Sequence, residues 1–219
     1  MIPIKDENPT KNKSVIRLFI LIICSIVFVL QITSQNNDLI IYYFGFKPGT
    51  LFGSSETGQT FVPIFTLFTS MFMHGGWFHF LGNMLYLWIF ADNVEDELGK
   101  KKFIIFYLLS GLAAALVQSI ENIDSLTPMI GASGAIAGIL GSYIYLFPRA
   151  KIVVLVPLLI FFFTIRLPAA MVLGAWFFIQ FINLNFMESG SSNVAWLAHI
   201  GGFLFGFLFT IKFKHKKKK

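Results

Sequence analysis

Apolar runs dominate this chain, and short polar or charged segments separate them. The runs span about Val15–Ile32, Phe78–Ala91, Phe103–Ile120, Ser133–Phe147, Ile152–Ile165, Pro168–Leu184 and Val194–Ile211. A membrane-crossing helix needs about 20 residues, with a lower limit of about 17. Several runs fall below that limit, so length alone does not count the spans. The first run is too long for the hydrophobic region of a signal peptide, and no A-x-A-like cleavage site follows it. It reads as a retained span.

Basic residues supply a second criterion, because Lys and Arg stay on the cytoplasmic side. With Ile152–Ile165 left out and both termini inside, sixteen of the 17 basic residues fall on the inner side and Lys47 alone falls outside. Counting Ile152–Ile165 as a span would put the C-terminal lysines outside. The expected fold is an all-α polytopic membrane protein with six transmembrane helices in a bundle and both termini cytoplasmic. Residues 1–13, polar and interrupted by Pro3 and Pro9, are expected to be disordered. Residues 14–211 are expected to form the membrane domain, and residues 212–219 a basic cytoplasmic tail. Ile152–Ile165 is expected to lie in or against the membrane on the inner side. The long outer segment from Ser34 to Trp77 is expected to hold short interfacial helices. Glu188–Asn193 reads as a small, mobile outer loop.

Composition sharpens the class. Of 219 residues, 56% are hydrophobic and 13% charged, and 27 are Phe. A soluble domain carries about 25% charged residues. The mean hydropathy is +0.73. These values exclude a disordered chain, a nucleic-acid module and almost any soluble enzyme. The net charge of +6 does not argue for a nucleic acid, since six basic residues lie between Lys212 and Lys219, beside the last apolar run. That is the usual flank against an anionic leaflet. The single Cys24 excludes a disulfide framework and a multi-cysteine metal site, and reads as a packed residue. The lipid bilayer is an expected partner. No cofactor, metal ion or nucleic acid is.

Ionisable residues inside spans are costly and mark function by default. Here they are few: His79 and His199. The acidic group Asp92, Glu95, Asp96 and Glu97 stands at a helix end beside Lys100–Lys102 and reads as a solvated boundary. No Asp or Glu lies well inside a span, which excludes a paired-aspartate protease, and no HExxH motif occurs. His79 and Asn83 share a helix face. Ser133 opens the fourth span within Gly131-Ala132-Ser133-Gly134, and His199 opens the sixth. Singly, each has a bland explanation: a helix cap, an interfacial histidine, a hydrogen bond between helices. Depth changes the reading. At 1.5 Å per residue, Ser133, His199 and His79 all lie roughly 20–22 Å above the inner boundary of a core about 30 Å thick. One polar site explains three such positions better than chance does. Gly134 with Gly138, and Gly202 with Gly206, provide small faces beside Ser133 and His199 on which helices approach closely.

These residues resemble the rhomboid intramembrane serine proteases. The resemblance runs through His74-Gly75-Gly76-Trp77-Phe78-His79-Phe80-Leu81-Gly82-Asn83-Met84, Asp92-Asn93-Val94-Glu95-Asp96-Glu97-Leu98-Gly99, Gly131-Ala132-Ser133-Gly134-Ala135 and Ala198-His199-Ile200-Gly201-Gly202-Phe203-Leu204-Phe205-Gly206. It implies a six-helix bundle whose site opens outward. Ser133 would be the nucleophile and His199 the general base, with His79, Asn83 and the Ser133 N–H holding the oxyanion. The implied partners are single-span membrane protein substrates, with a small residue at the cleaved bond and helix-destabilising residues nearby. A plasma membrane is the simplest location. The family often stacks an aromatic residue on the catalytic histidine from one turn after the serine. Here that position is Ala137, so another group must brace His199. The family's Trp-Arg pair in the first loop is also missing. Two alternatives are a catalytically inactive relative that binds membrane clients and a small transporter. Retention of both Ser133 and His199 argues against the first, and the absence of a buried carboxylate argues against the second.

Overall fold

The computed structural model describes residues 2–52, 62–121, 123–158, 161–186 and 194–217. Its helices are α1 (Val15–Thr33), α2 (Asn37–Phe44), α3 (Pro48–Phe52), α4 (Pro63–Thr69), α5 (Trp77–Leu98), α6 (Lys100–Ser119), α7 (Ser133–Leu146), α8 (Ala169–Phe186) and α9 (Trp196–Lys217). Among the described residues, α1, α6 and residues 196–214 of α9 are long and apolar enough to cross a membrane, and α7 and α8 are shorter apolar helices. The long segment after α1 does hold short helices: α2, α3, α4 and the 3-10 turn Ser70–Phe72.

The fold is not all-α. A three-stranded antiparallel sheet, ordered β1-β2-β3, is formed by Ile2–Asp6 (β1), Lys151–Leu158 (β2) and Phe161–Pro168 (β3). Within the run Ile152–Ile165, residues 152–158 and 161–165 are thus strand. Its β-branched residues suit a pleated surface, and Ile152 and Val154 alternate into the core at 0% and 1% exposure. Toward the far end of the hairpin Leu158, Phe161, Phe162 and Phe163 are exposed. Within residues 1–13, expected to be disordered, Ile2–Asp6 forms strand β1. Ile2 pairs with Leu155 and Asp6 with Ile152, so the strand edge of β2 gives the N-terminal backbone its hydrogen-bond partners. Glu7 and Arg166 form a salt bridge at 2.7 Å. The basic tail begins as helix, since α9 continues to Lys217.

The acidic group at the end of α5 is not a solvated boundary either. Glu95 is 2% exposed. Its carboxylate accepts the Ser14 hydroxyl at 2.5 Å and the N–H groups of Val15, Ile16 and Arg17 at 2.9–3.0 Å. Those are the orphan donors of the first turn of α1, which carries no acid of its own. Asp96 accepts from the backbone of Lys11 and Asn12, and Asp92 pairs with Arg17 at 3.0 Å. The chain then turns from α5 into α6 on one residue, Gly99, at φ +79°, where an L side chain is disfavoured.

Helices α7 and α9 form the centre. A Cβ placed on Gly202 would strike the carbonyl oxygen of Gly134, and one on Gly206 the carbonyl oxygen of Gly138. Gly138 in turn faces Ser110 of α6, and Gly134 faces Ala114. The backbones therefore meet with no side chain between them. Around this contact pack Phe90, Phe103, Phe106, Tyr107, Ile139, Leu140 and Tyr143, all 0–1% exposed. Cys24 is fully buried as well. The sheet, the Glu95 cap and the Lys214–Glu97 ion pair lie at one end of this bundle. Ser133, His79 and His199 lie at the other.

Candidate active site

Ser133 is the first residue of α7, preceded by Ala132, which offers no side-chain cap. The first N–H groups of a helix have no intrahelical acceptor and carry the positive end of its dipole. Ser133 thus brings a hydroxyl to a place where backbone donors are already exposed. The approach to it is made by Gly131 at φ +135°, whose N–H donates to the Ser70 carbonyl at 2.9 Å. A Cβ on Gly131 would lie 2.7 Å from His79 Nε2 and 3.5 Å from Ser133 Oγ. The bare glycine backbone therefore lets the His79 ring sit against this turn, beside the serine.

The orientation of His79 follows from its other nitrogen. The N–H of Gly75 donates to His79 Nδ1 at 3.3 Å. A nitrogen that accepts carries no hydrogen, so in the neutral ring the hydrogen is on Nε2. His79 thus presents a donor to the side that faces Gly131 and Ser133. Behind it stands His74, edge-on at 5.2 Å between ring centroids. The backbone N–H of His74 donates to Gln31 Oε1 at 3.0 Å, and Gln31 Nε2 donates back to the His74 carbonyl. One turn after His79, Asn83 is 8% exposed, and among the described residues its Nδ2 has no hydrogen-bond partner. A buried amide donor left unpaired is costly, and such a group is ready for a ligand acceptor.

His199 lies in the first turn of α9, partly buried. Its Nδ1 is 2.8 Å from Oε1 of Gln180 on α8. Trp176, one turn earlier on α8, lies beside the ring at 5.7 Å and 39°, and Trp196 meets it edge-on at 6.1 Å. These groups answer the question posed by Ala137, which is fully buried near Gly202. The aromatic bracing of His199 comes from α8 and from its own helix. The neighbouring Ala198 N–H is held by Gln118 Oε1 at 2.9 Å. Among the described residues no hydrogen bond joins Ser133 to His199. The two are brought to the same end of the α7–α9 pair, where Gly134 lies against the Ala198 carbonyl. Also among the described residues, no group of His, Cys, Asp and Glu is placed to hold a metal ion. The segment Glu188–Asn193, expected to be a small outer loop, lies outside the described residues.

Gln180 and Trp176 were not anticipated from the sequence, although the depth arithmetic points to the first. Gln180 is 12 residues beyond Pro168, roughly 18 Å along a helix, close to the depth of His79, Ser133 and His199. It escapes notice when ionisable groups alone are considered.

A helical membrane protein with a serine at a helix N-terminus and histidines on two neighbouring helices belongs to a narrow class. The rhomboid domain profile matches residues 63–216, and the chain belongs to the rhomboid family. It is 31% identical over 149 residues to rhomboid protein 1, mitochondrial, of Saccharomyces cerevisiae, covering 64% of this chain and 39% of that protein. It is 30% identical over 192 residues to the rhomboid protease GluP of Bacillus subtilis, covering 87% of this chain and 33% of that one. It is 27% identical over 154 residues to the mouse presenilin-associated rhomboid-like protein, mitochondrial, covering 67% and 37%. The match thus spans about a third to two fifths of these relatives. The protein is an integral membrane protein. Two of these relatives are mitochondrial by name, so the expectation of a plasma membrane draws no support from them.

Proposed function

We propose that this protein is an intramembrane serine endopeptidase that cleaves single-span membrane proteins through an acyl-enzyme. The observation that carries the reading is the juxtaposition at the start of α7: a serine hydroxyl, free backbone donors and the Nε2–H of His79 around one small volume. Six helices, α1 and α5–α9, cross the membrane, with both termini on the cytoplasmic side. Helix α7 has 14 residues and is about 21 Å long. In a core about 30 Å thick it ends inside the membrane, so Ser133 lies below the outer surface.

His199 Nε2 takes the proton from Ser133 Oγ as the oxygen attacks the scissile carbonyl carbon. The resulting oxyanion is held by the Ser133 N–H, His79 Nε2–H and Asn83 Nδ2–H. The imidazolium then gives its proton to the leaving amide nitrogen, and the C–N bond breaks. Water, deprotonated by the same imidazole, attacks the ester and releases the second product, and the proton returns to Ser133. Oxyanion donors of this kind are worth about 10²–10³ in rate when one of them dominates. A Ser–His pair without an aspartate needs its histidine neutral and well oriented.

One observation favours a second reading. Ser133 and His199 make no hydrogen bond, as suits a client-binding relative without activity. Catalytic hydrogen bonds are, however, often long in the unliganded state. A fluorophosphonate probe on the purified protein separates the two. Labelling at Ser133, lost in Ser133→Ala and His199→Ala, supports the protease. No labelling of folded wild-type protein selects the client binder.

A further inference from the structure

We propose that Gln180 is a positioning residue that makes Ser133, His199 and Gln180 a triad, with the glutamine fixing the tautomer of the histidine. The proposal rests on the protease reading above. It starts from the orientation of one amide. Gln180 is 4% exposed, on a mostly apolar helix whose other polar side chains are Asn183 and Asn185. Its Nε2 donates to the Trp176 carbonyl at 3.0 Å, and its Oε1 lies 2.8 Å from His199 Nδ1.

These two contacts determine each other. A carbonyl oxygen accepts and cannot donate. With the NH₂ group committed to the Trp176 carbonyl, Oε1 faces the ring, and Nδ1 must carry the hydrogen. The lone pair then lies on Nε2, the nitrogen available to Ser133. The flipped amide is worse on both sides. Its oxygen would face the Trp176 carbonyl oxygen. Its NH₂ would donate to Nδ1, moving the ring hydrogen to Nε2, where a base needs a lone pair. The i−4 carbonyl of α8 thus orients Gln180, and Gln180 orients His199. Trp176 serves twice, since its backbone holds the amide and its indole flanks the imidazole.

The role is that of the buried aspartate in a serine protease triad, without the charge. An aspartate holds the tautomer and also stabilises the imidazolium, and its loss costs about 10⁴. A neutral amide supplies the tautomer and a dipole, so about a 10- to 100-fold effect is expected from removing it. An ionised carboxylate at this depth would itself be expensive, which suits a glutamine.

The test measures the second-order rate of fluorophosphonate labelling at Ser133 between pH 5 and 9, with thermal stability recorded for every variant. Gln180→Leu should react about 10- to 100-fold more slowly than wild type while remaining folded. Gln180→Glu keeps the shape. Its carboxyl oxygen still accepts from Nδ1–H whether or not the group is ionised, so it should recover most of the rate lost in Gln180→Leu. A role in packing alone predicts no dependence of the rate on an acceptor oxygen facing Nδ1. The other titratable group facing His199 is His79, which both variants leave in place. Wild-type rates in Gln180→Leu, or no recovery of rate in folded Gln180→Glu, would overturn the assignment while leaving the protease reading standing. If Gln180→Leu does not fold, the near-isosteric Gln180→Glu decides. Failure of wild-type protein to label would remove both claims at once.

Discussion

Tyr143 of α7 donates its phenolic hydrogen to the carboxylate of Asp6 in β1 at 2.8 Å. This contact ties the N-terminal strand to the helix that carries Ser133 at its other end. Burial raises the Asp6 carboxyl from its ordinary 3.8 to about 6, against the opposing Tyr143 hydrogen bond. The sign follows directly. The docked strand binds more protons than the free one between pH 4 and 6, so docking weakens as pH rises through that window and levels off above it. Hydrogen exchange of the β1 amides, corrected for intrinsic rates, should show more protection at pH 4.5 than at pH 7.5. Asp6→Asn should remove most of that difference. Equal protection at both pH values in the wild type would contradict it.

Glu95 satisfies one hydroxyl and three backbone donors at the start of α1. Glu95→Ala leaves them unpaired in a buried place. A lost cap and orphaned donors together cost about 2 kcal/mol or more. Thermal unfolding in detergent should show a clear loss of stability. Glu95→Gln, which keeps an acceptor oxygen, should lose less. An unchanged midpoint for Glu95→Ala would mean that water replaces the carboxylate at no cost.

Gly202 and Gly206 lie on carbonyl oxygens of α7. Gly202→Val or Gly206→Val must push α7 and α9 apart, an overpacking cost of about 1–3 kcal/mol or more. Both should lower stability and activity together, since the same helix pair carries Ser133 and His199. A valine at Gly174, where an added Cβ meets nothing within 4 Å, is the control. Equal behaviour of all three would refute the close contact.

The proposed topology places residues 10 and 216 on the same, cytoplasmic side. Cysteines introduced there should stay unlabelled by an impermeant reagent in sealed cells and react after permeabilisation. Labelling of either in sealed cells would defeat the six-span arrangement.

Most helices were legible because their apolar runs are continuous: Ser133–Phe147 corresponds to α7, and Pro168–Leu184 lies within a residue or two of α8. The ends of α5 and α9 were read short. Both continue into charged residues, and hydropathy does not register that Glu95 is matched by the first turn of α1 or Lys214 by Glu97. The sheet was missed for another reason. Strand β1 exists through pairing with residues some 150 positions away, and no local pattern in Ile2–Asp6 announces it. Equal depth brought His79, Ser133 and His199 to one end of the bundle. The same arithmetic reaches Gln180, but its role depends on an amide orientation fixed by the Trp176 carbonyl, which appears only once α8 and α9 are side by side.

The central claim is a serine acyl-enzyme inside the membrane, and single-turnover cleavage of a single-span reporter in liposomes tests it most directly. Wild-type protein should release two fragments. Ser133→Ala should release none, since no other group there forms the ester, and His199→Ala should be nearly as inactive. Asn83→Ala should lose about 10²-fold or less, because it removes one oxyanion donor of several. His79→Ala should fall between. All four should insert and fold, so the effects belong to the rate and not to protein level. Substantial cleavage by well-folded Ser133→Ala would contradict the account.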